Sequence, residues 1–116
     1  MRKPLSPEAE AERIVLALQM VDKYLHRGHS LAVTRSSLSM ATGYNDRVVR
    51  ELLEIARNEG ALICNDQDGH GYYLAETEEE IERQYKRDRA RALSVLKRLK
   101  PYRTALRKGE FRDVSC

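Results

Sequence analysis

The chain has 116 residues and a mass of 13.4 kDa, and 41% of its residues are hydrophobic. This is enough for one small domain with a helical extension. The chain is too short for most enzymes whose active site is enclosed by a second layer of structure. Charge divides the chain, because residues 1–81 carry 9 Lys/Arg and 14 Asp/Glu, a net charge of −5, whereas residues 82–116 carry 12 and 4, a net charge of +8. No apolar run reaches the ~18 residues of a membrane span, and the two cysteines, Cys64 and Cys116, are too few for a disulfide framework and favour a reducing cytoplasm.

The first predicted element is a helix over about 7–27. Ser6 followed by Pro7 is a typical helix start, with a capping side chain and then a proline at the first helical position. Gly28 predicts the end of the helix. Apolar residues at spacings of three and four predict one inner stripe of Ile14, Leu18, Val21 and Leu25, and a second covered face with Leu16 and Met20.

Two short helices and a hairpin follow. Ala32 and Val33 are consistent with a very short strand. Thr34 predicts the cap of a second helix that stops at Gly43, and Asn45 predicts the cap of a third helix over 45–59. The inner stripe of the third helix is predicted to contain Val49, Leu52, Leu53 and Ala56.

Residues 61–65 and 72–75 have strand composition and are separated by a turn-rich loop at 66–71. In this hairpin we expect Cys64 to be a small buried strand residue rather than a metal ligand.

A long basic helix ends the predicted order. Thr77 and Glu80 form a capping box, which predicts a helix from residue 78 to about residue 100, with a kink at Pro101 and helix resuming through Leu106. The predicted architecture is therefore mainly α with a small β-hairpin: a first domain over 1–76, a basic C-terminal helix over 77–108 and a disordered tail over 109–116.

The segment 38–53 carries the most informative pattern. Two short helices joined by a tight turn that contains Gly43 make a helix-turn-helix. A small core holds the two helices at a steep angle and leaves one face of the third helix free to enter a major groove. The residues expected in that core are Leu38, Ala41, Tyr44, Val49 and Leu53.

Residues 33–75 resemble the small winged helix-turn-helix DNA-binding proteins of bacteria and their phages. The resemblance lies in Ala-Thr-Gly-Tyr-Asn-Asp-Arg-Val-Val-Arg at 41–50, Ile-Cys-Asn at 63–65 and Gly-Tyr-Tyr-Leu-Ala at 71–75, followed by a charged helix. It implies sequence-specific binding of double-stranded DNA, in transcription control or in phage replication. It also implies that the third helix reads bases from its N-terminal half, with Asn45, Asp46, Arg47, Val48, Arg50 and Glu51 as the candidate residues.

Each part of this candidate DNA surface also has a purely structural interpretation. Arg47 or Arg50 can pair with guanine, yet the third helix carries two arginines against three acids up to Glu54, which is a weak charge signal for DNA. The start of the second helix has two interpretations: it can bind a phosphate, or its threonine serves only to cap the helix. The hairpin loop has no cation and is either a solvated turn or a minor-groove contact. The residues concerned are Thr34, Arg35 and Ser36 for phosphate, and Gln67 and His70 in the loop.

The basic helix carries a second apolar stripe beyond a segment, 86–91, in which almost every residue is charged. We expect this stripe to form a homodimer. The alternatives are that it folds back onto Leu16 and Met20 of the first helix, or that it is disordered. The residues predicted to form the dimer are Leu93, Leu96, Leu99, Tyr102 and Leu106.

Motifs for catalysis and metal binding are weak. The sequence has no glycine-rich phosphate loop, no nucleophile motif and no closely spaced cysteine pair, so we predict a protein that is not an enzyme and needs no cofactor and no metal. The competing function is a protein-interaction adaptor, with an acidic head and a basic tail that binds nucleic acid or another protein. A single-strand or RNA binder is a weaker alternative, because the sequence shows no aromatic platform for base stacking.

Overall fold

The structure is a computed structural model that describes residues 4–66 and 69–109. Its elements are α1 (Pro7–Tyr24), a 3-10 turn (His29–Leu31), α2 (Arg35–Thr42), α3 (Asp46–Asn58), β1 (Ile63–Asn65), β2 (Tyr72–Leu74) and α4 (Glu78–Lys108). The two strands form one antiparallel sheet. The predicted class, mainly helical with a small hairpin and a long C-terminal helix, is confirmed.

Helix α1 begins as predicted and ends earlier than predicted. The Ser6 side chain accepts a hydrogen bond of 3.2 Å from the Ala9 amide, so the predicted cap is present. The helix ends at Tyr24 rather than near residue 27, and Gly28 is not its stop. The reason is long-range pairing with β2: the Leu74 amide donates to the His26 carbonyl (2.8 Å), and the Gly28 amide donates to the Leu74 carbonyl (2.9 Å).

The buried face of α1 agrees with the predicted stripe at Val21 and Leu25, and with the second predicted face at Met20, but not at Leu18. Met20 is only 3% exposed, whereas Leu18, which we expected inside, is 41% exposed. Helix α3 packs against α1 on the side that carries Ala17 and Val21, and this decides which residues are covered. Leu16 remains exposed.

The caps of α2 and α3 are confirmed. The Thr34 side chain accepts from the Ser37 amide, Gly43 ends α2 in the left-handed conformation with φ of 80°, and the Asn45 side chain caps α3. All four residues of the predicted inner stripe of α3 are buried. Ala41 was expected in the core but is exposed. The last turn of α2 is instead contacted through its backbone, where the Tyr24 hydroxyl donates to the Ala41 carbonyl (3.3 Å).

The hairpin is shorter than predicted and is joined to the chain before α2. In its register Ile63 lies opposite Leu74, and the buried Cys64 lies opposite the buried Tyr73. The strand expected at Ala32 and Val33 is reduced to a bridge, in which Val33 and Tyr72 exchange two backbone hydrogen bonds of 2.9 and 2.7 Å.

The core joins α1, α2, α3 and β1. Its buried hydrophobic residues are Ala17, Met20, Val21, Leu25, Leu38, Val49, Leu52, Leu53, Ala56 and Ile63. Tyr44 is half-buried and packs against this cluster. The core thus fixes α2 and α3 on one side, and the opposite side of α3 faces outward.

Helix α4 opens with the predicted capping box. The Glu80 amide donates to the Thr77 hydroxyl (3.2 Å), and the Glu80 carboxylate accepts from the Thr77 amide (3.1 Å). The same buried carboxylate also accepts from the amides of Glu76 and His29. The helix continues through Pro101 to Lys108 as one element.

Contacts divide the chain into two compact units, Met1–Glu82 and Arg83–Cys116. The division falls within α4, beyond residue 76, where the sequence analysis ends the first domain. Most of the tail expected to be disordered, 110–116, lies outside the described residues. In the part of the chain that is described, no helix combines the length and the apolar composition needed to cross a membrane.

Candidate nucleic-acid interface

The turn between α2 and α3 is held by its own side chains. The Thr42 hydroxyl donates to the Leu38 carbonyl (2.6 Å) and accepts from the Tyr44 amide (3.1 Å). The Ser39 hydroxyl donates to the Tyr44 carbonyl. With the left-handed Gly43, these bonds set the direction in which α3 leaves the turn.

Two of the six residues predicted to read bases take part in the local structure of α3. The side-chain oxygen of Asn45 accepts the Val48 amide at 3.0 Å, as an N-cap does. Val48 is half-buried and packs against the core, so only part of its side chain faces outward. The other four predicted residues form the outer face of α3.

Ion pairs run across this outer face. Arg47 pairs with Glu51 at 3.3 Å, and Arg50 pairs with Asp46 at 3.6 Å, each one helical turn away. The side chains of Arg47 and Arg50 are 66% and 59% exposed. Both guanidinium groups are therefore oriented by a carboxylate while they remain open to solvent.

Two arginines from other helices join the same face. Arg35 of α2 reaches Asp46 at 2.6 Å, and Arg13 of α1 reaches Glu51 at 3.0 Å. We call this set of six residues the arginine cluster: Arg13, Arg35, Arg47 and Arg50 with Asp46 and Glu51. Four cations around two carboxylates give it a formal charge of +2, whereas α3 considered alone has no net charge.

Arg13 was missed by the sequence analysis. Arg13 lies four residues before the buried Ala17, and residues four apart share a face of a helix. This spacing was the sequence signal that Arg13 lies beside the buried face of α1. Only the packing of α1 against α3 shows that this face meets Glu51.

The electrostatics of the cluster are clearest at Arg35. A hydrogen bond to the Asp46 carboxylate, and after it one to the Tyr72 side chain, raise the pKa of Arg35 above its usual value. Arg35 therefore stays charged, and its side chain links α2, α3 and β2.

The three residues predicted to bind phosphate have different roles in the structure. The Thr34 hydroxyl accepts the Ser37 amide (3.1 Å) and donates to the Ser37 hydroxyl (3.0 Å), so it serves the cap. Ser36 is exposed at the first turn of α2. Arg35 belongs to the arginine cluster, so a phosphate contact by Arg35 would be made together with α3.

The predicted loop contact is only partly described. Gln67 lies outside the described residues. His70 is exposed, and its ring meets that of His29 edge to face at 5.2 Å. The His29 ring nitrogen Nε2 lies 3.6 Å from an Asp66 carboxylate oxygen, so this end of the hairpin is held against the 3-10 turn.

The second unit presents a basic helix. Residues 83–108 contain 11 Lys/Arg and one acid, Asp88. All five residues predicted to form a dimer are exposed along it, and so is Val95, which the sequence analysis did not include. Met20, one of the two residues expected to receive a folded-back helix, is buried in the core of the first unit.

Across residues 4–66 and 69–109, no set of three or more His, Cys, Asp or Glu side chains is placed to hold a metal ion.

Comparisons with protein-family models, with curated proteins and with solved structures find no match to this chain.

Proposed function

We propose that the protein is a sequence-specific double-stranded DNA-binding protein of the winged helix-turn-helix type, acting as a transcriptional regulator or a phage replication-associated factor. The observation that carries the proposal is the arginine cluster on the outer face of α3, directly after a turn held by its own side chains. In the proposed complex α3 lies in the major groove and the β1–β2 hairpin is the wing.

The chemistry of the cluster suits this role. A guanidinium group can donate two parallel hydrogen bonds to guanine O6 and N7. Arg47 and Arg50 lie in the N-terminal half of α3, from which a recognition helix contacts base edges. Arg13 and Arg35 flank them from neighbouring helices and are suited to phosphates.

The basic helix supplies the second part of the proposal. Phosphate contacts provide much of the affinity of DNA-binding proteins, and residues 83–108 carry most of the positive charge of the chain. We propose that the same helix pairs two copies of the chain as a homodimer, so that two α3 helices are available for two half-sites.

A second candidate function is supported by the carboxylates of the cluster. Asp46 and Glu51 form ion pairs with all four arginines of the cluster, and the first unit has a net negative charge. A winged-helix adaptor would use this acidic head for a basic protein partner and leave nucleic acid to the basic tail.

Selection of binding sites from a random duplex library separates the two functions. We expect Arg50→Ala to lose roughly 1–3 kcal/mol of binding free energy and to relax the preference at one base position. Arg27→Ala is the matched control, because Arg27 is exposed but lies outside the arginine cluster, and its selected motif should equal that of the wild type. Identical motifs for wild type and Arg50→Ala contradict base reading. Binding to duplex DNA without any selected motif favours the adaptor, because its basic tail would contact phosphates and not bases.

A further inference from the structure

The second unit exposes an apolar seam with a coiled-coil repeat. Its apolar positions are Tyr85, Ala92, Val95, Leu99, Tyr102 and Leu106, and Asp88 occupies the one remaining position. The spacings alternate three and four without a break over one continuous helix. A repeat of 3.5 residues is the pattern with which two helices wind around each other.

Two of the leucines that the sequence analysis assigned to the dimer lie off this seam. Leu96 stands on its flank, and Leu93 stands on the outer side of the helix. Leu93 is 46% exposed and Leu99 is 43% exposed, so exposure does not distinguish them, whereas their places in the repeat do.

Parallel and antiparallel pairs of α4 bring different charged residues together in and beside the seam. In a parallel pair, identical positions meet, so Asp88 faces Asp88 of the second copy. Such a pair also sets Arg98 of each copy against Arg103 of the other, because these are the flanking positions that parallel helices bring together. Both contacts join like charges.

An antiparallel pair removes both conflicts. We place the two-fold axis of this pair between Leu93 and Ser94. Along the seam, Tyr85 of one helix then faces Tyr102 of the other, and Ala92 faces Val95. Asp88 then meets Leu99 of the second copy, and Arg98 of that copy lies beside it on the same flank. Arg91 then meets Arg98 of the second copy, a like-charge contact that the two-fold axis repeats, and Asp88 lies next to each with the opposite charge.

We propose that α4 forms an antiparallel two-stranded coiled coil with α4 of a second copy, through the seam from Tyr85 to Tyr102. This inference rests on the homodimer of the proposed function, but not on its DNA contact. Residue 83 of the two copies would lie about 31 Å apart along the axis, at 1.5 Å per residue.

Sedimentation tests the seam. The wild type at micromolar concentration should have twice the 13.4 kDa mass of the chain. Val95→Lys should raise the dimer dissociation constant by about tenfold or more, because it places an unpaired charge inside the seam opposite Ala92 of the second copy. Leu93→Lys is the matched control and should leave the dimer unchanged. An equal loss in both variants contradicts the seam, and a wild-type monomer overturns the homodimer and the coiled coil together.

Spin-label distances test the orientation. Ser94→Cys and Lys108→Cys occupy the same position of the repeat and are labelled separately in a Cys116→Ser background, in which Cys64 is buried. In the antiparallel dimer the labels at residue 108 lie about 43 Å apart along the axis and those at residue 94 about 1.5 Å apart. The distance measured at residue 108 should therefore be much the longer. Equal distances at the two positions mean a parallel dimer, which overturns this inference while the homodimer stands.

Discussion

Arg47 and Arg50 are each oriented by a carboxylate on α3 and are still more than half exposed. An exposed pair of this kind is typically worth only a few tenths of a kcal/mol. The guanidinium groups can therefore exchange their carboxylates for a guanine edge or a phosphate at small cost. In the proposed complex, the carboxylates would hold the arginines in position before DNA binds and would repel the phosphates as DNA approaches.

Replacing Asp46 by Asn tests this balance at the scale of one residue. The change keeps the size of the side chain and removes a negative charge shared by Arg35 and Arg50, so we expect tighter binding to duplex DNA, by about fivefold or ~1 kcal/mol. Asp22→Asn, an exposed aspartate of α1 outside the cluster, is the control and should change affinity little. Fluorescence anisotropy measures both. Unchanged or weaker binding by Asp46→Asn contradicts a DNA-facing cluster.

At the scale of elements, the hairpin is fixed to the chain before α2 by a close backbone approach. Gly71 has φ of 104°, and a Cβ atom added there would lie 2.0 Å from the Val33 carbonyl oxygen. The two hydrogen bonds between Val33 and Tyr72 require this approach. Only glycine satisfies both the conformation and the contact.

The Gly71→Ala variant should therefore lose roughly 3 kcal/mol or more of unfolding free energy, from backbone strain together with a clash against main-chain atoms. Gly69→Ala is the matched control, since Gly69 has φ of 81° but no described heavy atom within 4 Å of its added Cβ. It should lose only about 1–2 kcal/mol, the cost of the left-handed conformation. Urea denaturation gives both values. Equal losses would mean that the approach to Val33 is not what requires glycine.

At the scale of the whole molecule, the chain is divided into an acidic unit with the core and a basic helical unit. A helix with 11 Lys/Arg and one acid between residues 83 and 108 presents a strongly positive surface, which matches a polyanion. In the proposed function, the basic helix provides affinity for any duplex and α3 provides the preference for sequence.

This division predicts a difference in salt dependence. The double variant Lys97→Gln/Lys100→Gln should bind all duplexes more weakly and reduce the slope of log K against log salt by about 2 per chain, one for each lost phosphate contact. Its sequence preference should not change. Lys23→Gln/Arg27→Gln removes the same charge from the first unit and should leave the slope close to that of the wild type. Equal slopes for the two double variants would show that the basic helix does not contact phosphates.

The local features of this protein were predictable from sequence, because each depends on residues only a few positions apart. Ser6, Thr34 and Asn45 cap their helices through amides three residues on, and Thr77 and Glu80 form their box over the same distance. The inner stripe of α3 was also predictable, since one strongly amphipathic helix allows one buried face.

Tertiary structure decided the rest. Whether Met20 or Leu18 is buried depends on where α3 meets α1, and the end of α1 depends on hydrogen bonds from β2, which is formed by residues about 50 positions later in the chain. The arginine cluster has the same origin. The sequence of α3 alone has no net positive charge and is a weak signal for DNA, and only the packing of three helices brings Arg13 and Arg35 to Glu51 and Asp46. Contacts between distant residues set these features, and no local pattern contains them.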